Sequence, residues 1–141
     1  MVFFDSNVLV YIATNQDFAK KKIALKLVAS AIEKQSGCIS LQVLREVANC
    51  LFKKSRDSVE HIKGVLAGFD ALDCFAESRD LLNRGIEIKE QYGIQFYDAL
   101  IVAAAEAAGC DTLCSEDMGD GQIYGRVRVV NPFKDAENRK S

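Results

Sequence analysis

Histidine is nearly missing from this 141-residue chain; His61 is the only one, and it falls in a mixed polar helical stretch. A catalytic triad built on an imidazole is therefore poorly supported. Basic excess is missing as well. Eighteen Lys and Arg against 20 Asp and Glu leave a net charge of −2, so overall charge does not advertise a nucleic-acid partner. Local runs at Lys20-Lys21-Lys22 and Lys53-Lys54-Ser55-Arg56 are the candidate basic patches, each readable also as a solvated helix face. No apolar run is long enough for a bilayer: the best, Ala99 to Ala108, is short and broken by Glu106. The N-terminus has no basic segment ahead of its apolar residues, since Met1-Val2-Phe3-Phe4 runs straight into Asp5. That argues against a secretory signal and makes the cytoplasm the expected location, with no membrane partner.

Cysteine pairing motifs are lacking too. The five cysteines (38, 50, 74, 110 and 114) are odd in number and contain no CxxC. Cys110 and Cys114 have no histidine near them in sequence to complete a zinc set. The expectation is free thiols packed as small hydrophobes. No Gly-x-x-x-x-Gly-Lys-Ser/Thr occurs, which excludes a P-loop nucleotide site. Gly119, Gly121 and Gly125 do not connect a strand to a helix and make a weak phosphate cradle. Asp5-Ser6-Asn7 lacks the second aspartate that aspartate-nucleophile phosphatases carry two residues on.

What the chain does have is 49% hydrophobic and 27% charged residues, the balance of a folded globular protein. The length suits one domain, taken as residues 1–133, with 134–141 a polar tail. Val2 to Phe4 read as a short buried strand, after which Asn7 to Tyr11 either continue it or turn into helix. Residues 17–34 carry apolar positions at helical spacing, with Gly37 ending that helix and residues 38–40 forming a strand. Residues 41–52 are helical again. Asp57 or Ser58 caps a further helix running to about Leu72, and residues 73–76 make a short strand. Residues 77–92 form a helix that stops at Gly93, and Phe96 to Ala108 form the clearest helix, ended by Gly109. Strands are expected at residues 112–114 and 127–130, closed by Asn131-Pro132-Phe133. Strands separated by helices imply an α/β fold: a three-layer sandwich with a parallel sheet of four to five strands between helices.

Four carboxylates punctuate this pattern. Asp5 and Asp117 follow strands, whereas Glu46 and Asp98 enter from early helical turns. Sites in parallel sheets form at the carboxyl ends of the strands, so the four can converge. Packed together they would raise one another's pKa unless a cation offset the repulsion, and Mg2+ or Mn2+ suits an all-oxygen site. Such an ion activates water and neutralises charge on a phosphodiester. Ser6, Asn7 and Ser115 lie beside the acids and are placed to position waters or the ligands themselves. Each acid also has an ordinary reading: a strand-end turn for Asp5, a solvated helix position for Glu46, dipole stabilisation for Asp98, an Asx turn for Asp117.

Asp5-Ser6-Asn7-Val8-Leu9-Val10-Tyr11, Glu46, Tyr97-Asp98-Ala99-Leu100-Ile101-Val102 and Ser115-Glu116-Asp117, in that order and spacing, resemble the PIN-domain nucleases. With the closing Asn131-Pro132-Phe133 the resemblance looks most like the VapC-like toxins of prokaryotic toxin–antitoxin pairs, and it covers essentially the whole chain. It implies a metal-dependent endoribonuclease, a homodimer, silenced by a co-encoded antitoxin. By position, Asp5 and Asp98 would be the principal metal ligands, with Glu46 and Asp117 completing the acidic pocket. Ser6 stands where a hydroxyl residue is common, and Asp120 is an accessory candidate. Two other readings stay open: a non-catalytic interaction module binding a partner protein or RNA, and a small-molecule phosphohydrolase using the same acids.

Overall fold

In the computed structural model, residues 1–54 and 58–136 are described. Among these residues the elements run in the order β1 (Val2–Phe4), α1 (Ser6–Ala13), α2 (Phe18–Glu33), β2 (Gly37–Ser40), α3 (Leu41–Lys54), α4 (Val59–Ala67), β3 (Asp73–Phe75), α5 (Arg79–Tyr92), α6 (Phe96–Ala107), β4 (Thr112–Cys114), β5 (Ile123–Tyr124) and β6 (Val127–Val130). The sheet runs β3-β2-β1-β4-β6-β5. Its first five strands are parallel, and only β5 joins antiparallel, at the edge beside β6. The expected parallel α/β sheet is present, with six strands rather than four to five. The extra one, β5, has two residues and is joined to β6 by a turn whose Gly125 adopts a φ of 60°, a conformation glycine adopts without strain.

Strand order decides where helices go. From β1 the chain steps outward to β2 and β3, then returns past β1 to β4. Right-handed crossovers in the two directions put α1–α4 on one face and α5–α6 on the other. The contacts follow that division: α1 touches α2 and α3, α3 touches α4, and α5 lies along α6. Gly85 permits the α5–α6 approach, because a Cβ there would sit 2.5 Å from Leu100 Cδ2. Between the layers Phe3, Phe4, Leu9, Ile39, Val43, Val47, Leu51, Ile88, Ile101 and Leu113 are almost wholly excluded from water. Burial on this scale contributes about 1.5–3 kcal/mol per large aliphatic or aromatic side chain before conformational entropy is counted.

Several boundaries have local causes. Asp17, Ser58 and Ser78 cap α2, α4 and α5 by accepting backbone N–H groups in their first turns. The sequence leaves α1 open between strand and helix; the structure makes it a helix from Ser6, because Asp5 accepts the Ser6 N–H. Gly37, read as the stop of α2, instead opens β2. The left-handed residue after that helix is Gln35, with φ of 53°. Gly37 is needed for space, since a Cβ there would meet Leu72 Cδ2 at 2.6 Å. Helix α4 stops at Gly68 rather than near Leu72. Asp57, the alternative cap, lies outside the described residues. At the C-terminal end Phe133 is fully buried, and residues 134–136 begin a helical turn in which Ala136 is buried.

Candidate active site

The strand order reverses at the boundary between β1 and β4, and open parallel sheets bind ligands outside the carboxyl ends of strands at that point. Asp5 is the first residue after β1 and Ser115 the first after β4. They meet there. The Ser115 hydroxyl donates to Asp5 Oδ2 at 2.8 Å, and the Ser6 N–H donates to Asp5 Oδ1 at 2.7 Å. Asp5 is 4% exposed and Ser115 is fully buried, so this carboxylate depends on those two donors. Burial pushes Asp5 up from 3.8 to about 6; the two hydrogen bonds pull it back, and the charges of Asp117 and Asp98 push it further up.

Ser115 is also an acceptor. Its Oγ receives the Asn7 side-chain amide at 3.3 Å and the Asp117 N–H at 3.2 Å. The same Asn7 amide donates to Asp117 Oδ2 at 3.0 Å, which fixes that carboxylate at the mouth of the site. Asn7 Oδ1 is buried and has no hydrogen-bond partner among the described residues. A buried acceptor without a donor costs about 1–3 kcal/mol, so this oxygen marks a place for a water or a cation.

Glu46 comes from the opposite wall. It stands on α3, where Gln42 one turn earlier donates to its Oε1 at 3.5 Å and to the Tyr97 carbonyl at 3.1 Å. Gln42 thereby ties α3 to the first turn of α6, where Asp98 sits. Glu46 is pushed up from 4.5 to about 7, first by desolvation of its carboxylate and then by the charge of Asp5, with Asp98 and Asp117 adding to it. Much of the Glu46 side chain faces water, which screens these charges. Asp98 is raised by burial and by Asp117. No hydrogen bond among the described residues ties its carboxylate down, and the helix dipole alone accounts for its position but not for its neighbours.

Two of the acids, Glu46 and Asp117, line a cleft of about 470 Å³ between α1 and α3, together with Asn7, Tyr11, Lys53 and Lys54 among others. Glu116 also lines it but is already paired. Tyr11 donates its hydroxyl to Glu116 at 2.5 Å, and Lys20 Nζ donates to the other carboxylate oxygen at 3.0 Å. Lys20 further lies over the rings of Tyr11 and Phe133, at 5.2 and 5.8 Å from their centroids. Burial and the hydrogen bond to Glu116 push the Tyr11 hydroxyl up to about 12.

Of the residues singled out from sequence, Asp5, Glu46, Asp98 and Asp117 act on one another electrostatically, and Ser6, Asn7 and Ser115 surround them. Asp120 is occupied elsewhere. It accepts the Asn131 N–H at 2.9 Å and Lys134 Nζ at 3.3 Å, partners that hold its carboxyl below the usual range. Sequence reasoning missed Gln42 and the Tyr11–Lys20–Glu116 cluster. Gln42 carried a readable signal, lying four residues before Glu46 on the same helix face. The cluster carried none, because its members are joined only by tertiary packing. His61 is exposed, and the five cysteines are free.

The donor set fits a hard divalent cation: four carboxylates, the unpartnered Asn7 Oδ1 and the Ser6 hydroxyl offer oxygen alone. Among the described residues no three Asp, Glu, His or Cys side chains are grouped so that they could hold an ion between them. Mg2+ does not require such a group, because it keeps several waters and takes one or two carboxylates from the protein.

The PIN domain family model matches residues 2–119, and the chain belongs to that family. Among solved structures, a toxin–antitoxin complex from Klebsiella pneumoniae is similar at 21% identity and a TM-score of 0.68, covering 94% of this chain and 98% of that one. VapBC2 from Rickettsia felis, bound to a DNA fragment from its promoter, gives 20% identity and a TM-score of 0.67 over 93% and 98% of the chains. VapC20 from Mycobacterium tuberculosis, described as a sarcin-ricin loop cleaving toxin, gives 18% and 0.65 over 80% and 87%. At these identities the likeness establishes the fold. No curated protein matches the chain. Among the described residues no helix is long and apolar enough to cross a membrane.

Proposed function

We propose that this chain is a Mg2+- or Mn2+-dependent endoribonuclease and the toxin member of a toxin–antitoxin pair. One observation carries the reading: four acids from four separate stretches of sequence act on one another electrostatically beside the switch point of the sheet, and burial together with that repulsion pushes Asp5 and Glu46 upward. Isolated carboxylates with ordinary structural tasks have no reason to share one place at that electrostatic cost. Asp5 and Asp98 are the principal ligands, and Glu46 and Asp117 complete the pocket directly or through water. The cation, when bound, lowers the pKa of a water and neutralises charge on the phosphodiester. Glu46, at the cleft wall and with its carboxyl pushed upward by desolvation and by Asp5, accepts the proton of the attacking water. Ser115 and Ser6 hold Asp5 in one orientation, and Asn7 does the same for Asp117. The names of the similar structures support the toxin assignment and, with it, an antitoxin partner; a homodimer and a cytoplasmic setting complete the proposal.

The test is RNA cleavage mapping with protein purified free of any inhibitor, with added Mg2+ or Mn2+, beside Asp5→Asn and Asp98→Asn. Cleavage by the wild type and loss of at least 100-fold in both variants is expected, the scale on which a displaced catalytic group costs rate. Equal cleavage by all three proteins would sink the reading. Hydrolysis of simple phosphate esters without RNA cleavage would point to a phosphohydrolase, and neither cleavage nor a metal-dependent thermal shift would leave an interaction module.

A further inference from the structure

The wall that α3 lends to the cleft has a polarity that the metal chemistry does not use. Glu46, Asn49, Cys50, Lys53 and Lys54 all line the same cavity. Steps of three, one, three and one residues make them a single stripe along the helix, from the acid end outward. At 1.5 Å per residue the lysine end of the stripe begins about 10 Å along the helix axis from Glu46. Both lysines are exposed, and neither is paired with a carboxylate among the described residues. Lys54 Nζ donates instead to the neutral side chain of Gln16 across the cleft, at 3.1 Å, which positions its charge without cancelling it. Ser55 and Arg56, which continue this basic run in sequence, lie outside the described residues.

We infer that Lys53 and Lys54 form a phosphate-holding lip that carries the backbone of a single RNA strand away from the acids. The inference rests on the nuclease reading above and specifies the substrate as a polymer. An ester small enough to sit at the acids would not reach ammonium groups two helical turns away. A strand with one phosphodiester at the acids places neighbouring phosphates along the lysine end. The lip is indifferent to sequence, because ammonium groups act on phosphates as point charges and read no base edge.

The experiment measures binding of a fluorescein-labelled single-stranded oligoribonucleotide by anisotropy, in Mg2+, across a salt series. An Asp98→Asn background prevents turnover. Adding Lys53→Ala and Lys54→Ala should weaken binding about tenfold at 0.1 M salt and reduce the slope of log K against log salt by about 1.4, the value for two lost contacts to a single strand. Lys53→Arg with Lys54→Arg should restore the slope. An unchanged slope, or no salt-dependent RNA binding at all, overturns the inference. Weakening confined to a labelled acidic peptide, with RNA binding intact, overturns it in favour of a protein partner. The nuclease reading fails separately: a reduced slope with cleavage indifferent to Asp5→Asn would leave a lip without a catalyst.

Discussion

Ser115 donates a 2.8 Å hydrogen bond to Asp5 across 110 positions of sequence, and both side chains are buried. That contact adds a side-chain link to the ends of β1 and β4, which the backbone already pairs. It also opposes the burial that drives the Asp5 pKa upward. Ser115→Ala should cost about 1–2 kcal/mol, the usual loss when a buried acceptor is left short of a donor. The loss should be larger at pH 8, where Asp5 is ionised, than at pH 5. Urea melts at the two pH values check this; equal losses would mean that the hydroxyl serves packing and not the charge.

The metal-free protein should lose stability as pH rises. Asp5 and Glu46 have folded values of about 6 and 7, above their ordinary values of 3.8 and 4.5, so the fold binds their protons more tightly than the unfolded chain does. Their favourable contribution is complete below the unfolded values and is lost as pH climbs through the folded ones. For buried Asp5 the change is on the order of 2–3 kcal/mol at 1.36 kcal/mol per unit. Glu77, Glu106 and Asp120 are shifted downward and titrate below this window. Thermal denaturation in EDTA from pH 5 to 8 should show a falling midpoint, flattened in Asp5→Asn. A midpoint that rises with pH in the wild type contradicts the assignment.

Divalent metal should reverse that trend. Ligands must be deprotonated, so Mg2+ or Mn2+ should stabilise the protein more at pH 8 than at pH 6. At an ion concentration 100 times Kd the gain is about 2.7 kcal/mol. Asp5→Asn and Asp98→Asn should each abolish most of it while keeping the fold. Differential scanning fluorimetry with the metal alone measures this, and a shift that survives in both variants would place the ion elsewhere.

Two glycines give opposite expectations for the same substitution. Gly85→Ala drives a Cβ to 2.5 Å from Leu100 Cδ2 and 3.5 Å from its Cα, so α5 must lift from α6 at about 1–3 kcal/mol. Gly64 lies on the exposed side of α4, and a Cβ added there would meet nothing within 4 Å. Gly64→Ala should therefore stabilise by about 0.5–1 kcal/mol. Guanidinium melts of the two variants should move to opposite sides of the wild type.

Much of this architecture is readable from residue pattern because its signals are local. An apolar triplet ending in Asp5 and an alanine-rich run ending at Gly109 each declare an element and its limit. The parallel sheet follows from their alternation. Strand β5 escapes because two residues carry no period, and Gly37 reads falsely as a helix stop because its role is to make room for Leu72, a contact invisible along the chain. The four acids can be picked out by position, yet not the hub beneath them: that Ser115 touches Asp5, Asn7 and Asp117 at once depends on the pairing of β1 with β4. The cleft between α1 and α3 is unreadable for the same reason.

The position of β1 in the sheet has a consequence for synthesis. Its neighbour β2 is made within the first forty residues, whereas β4, its partner on the other side, begins only at Thr112. A nascent chain can therefore build half a sheet and expose Asp5 and Glu46, but it has no Ser115 to orient the first and no Asp117 to join the second. More than four-fifths of the polypeptide must be made before the acidic centre can close. A translation product that stops short of β4 carries Asp5, Glu46 and Asp98 without Asp117 or the Ser115 that orients Asp5, so the order of synthesis itself leaves the acidic centre of an unfinished chain incomplete.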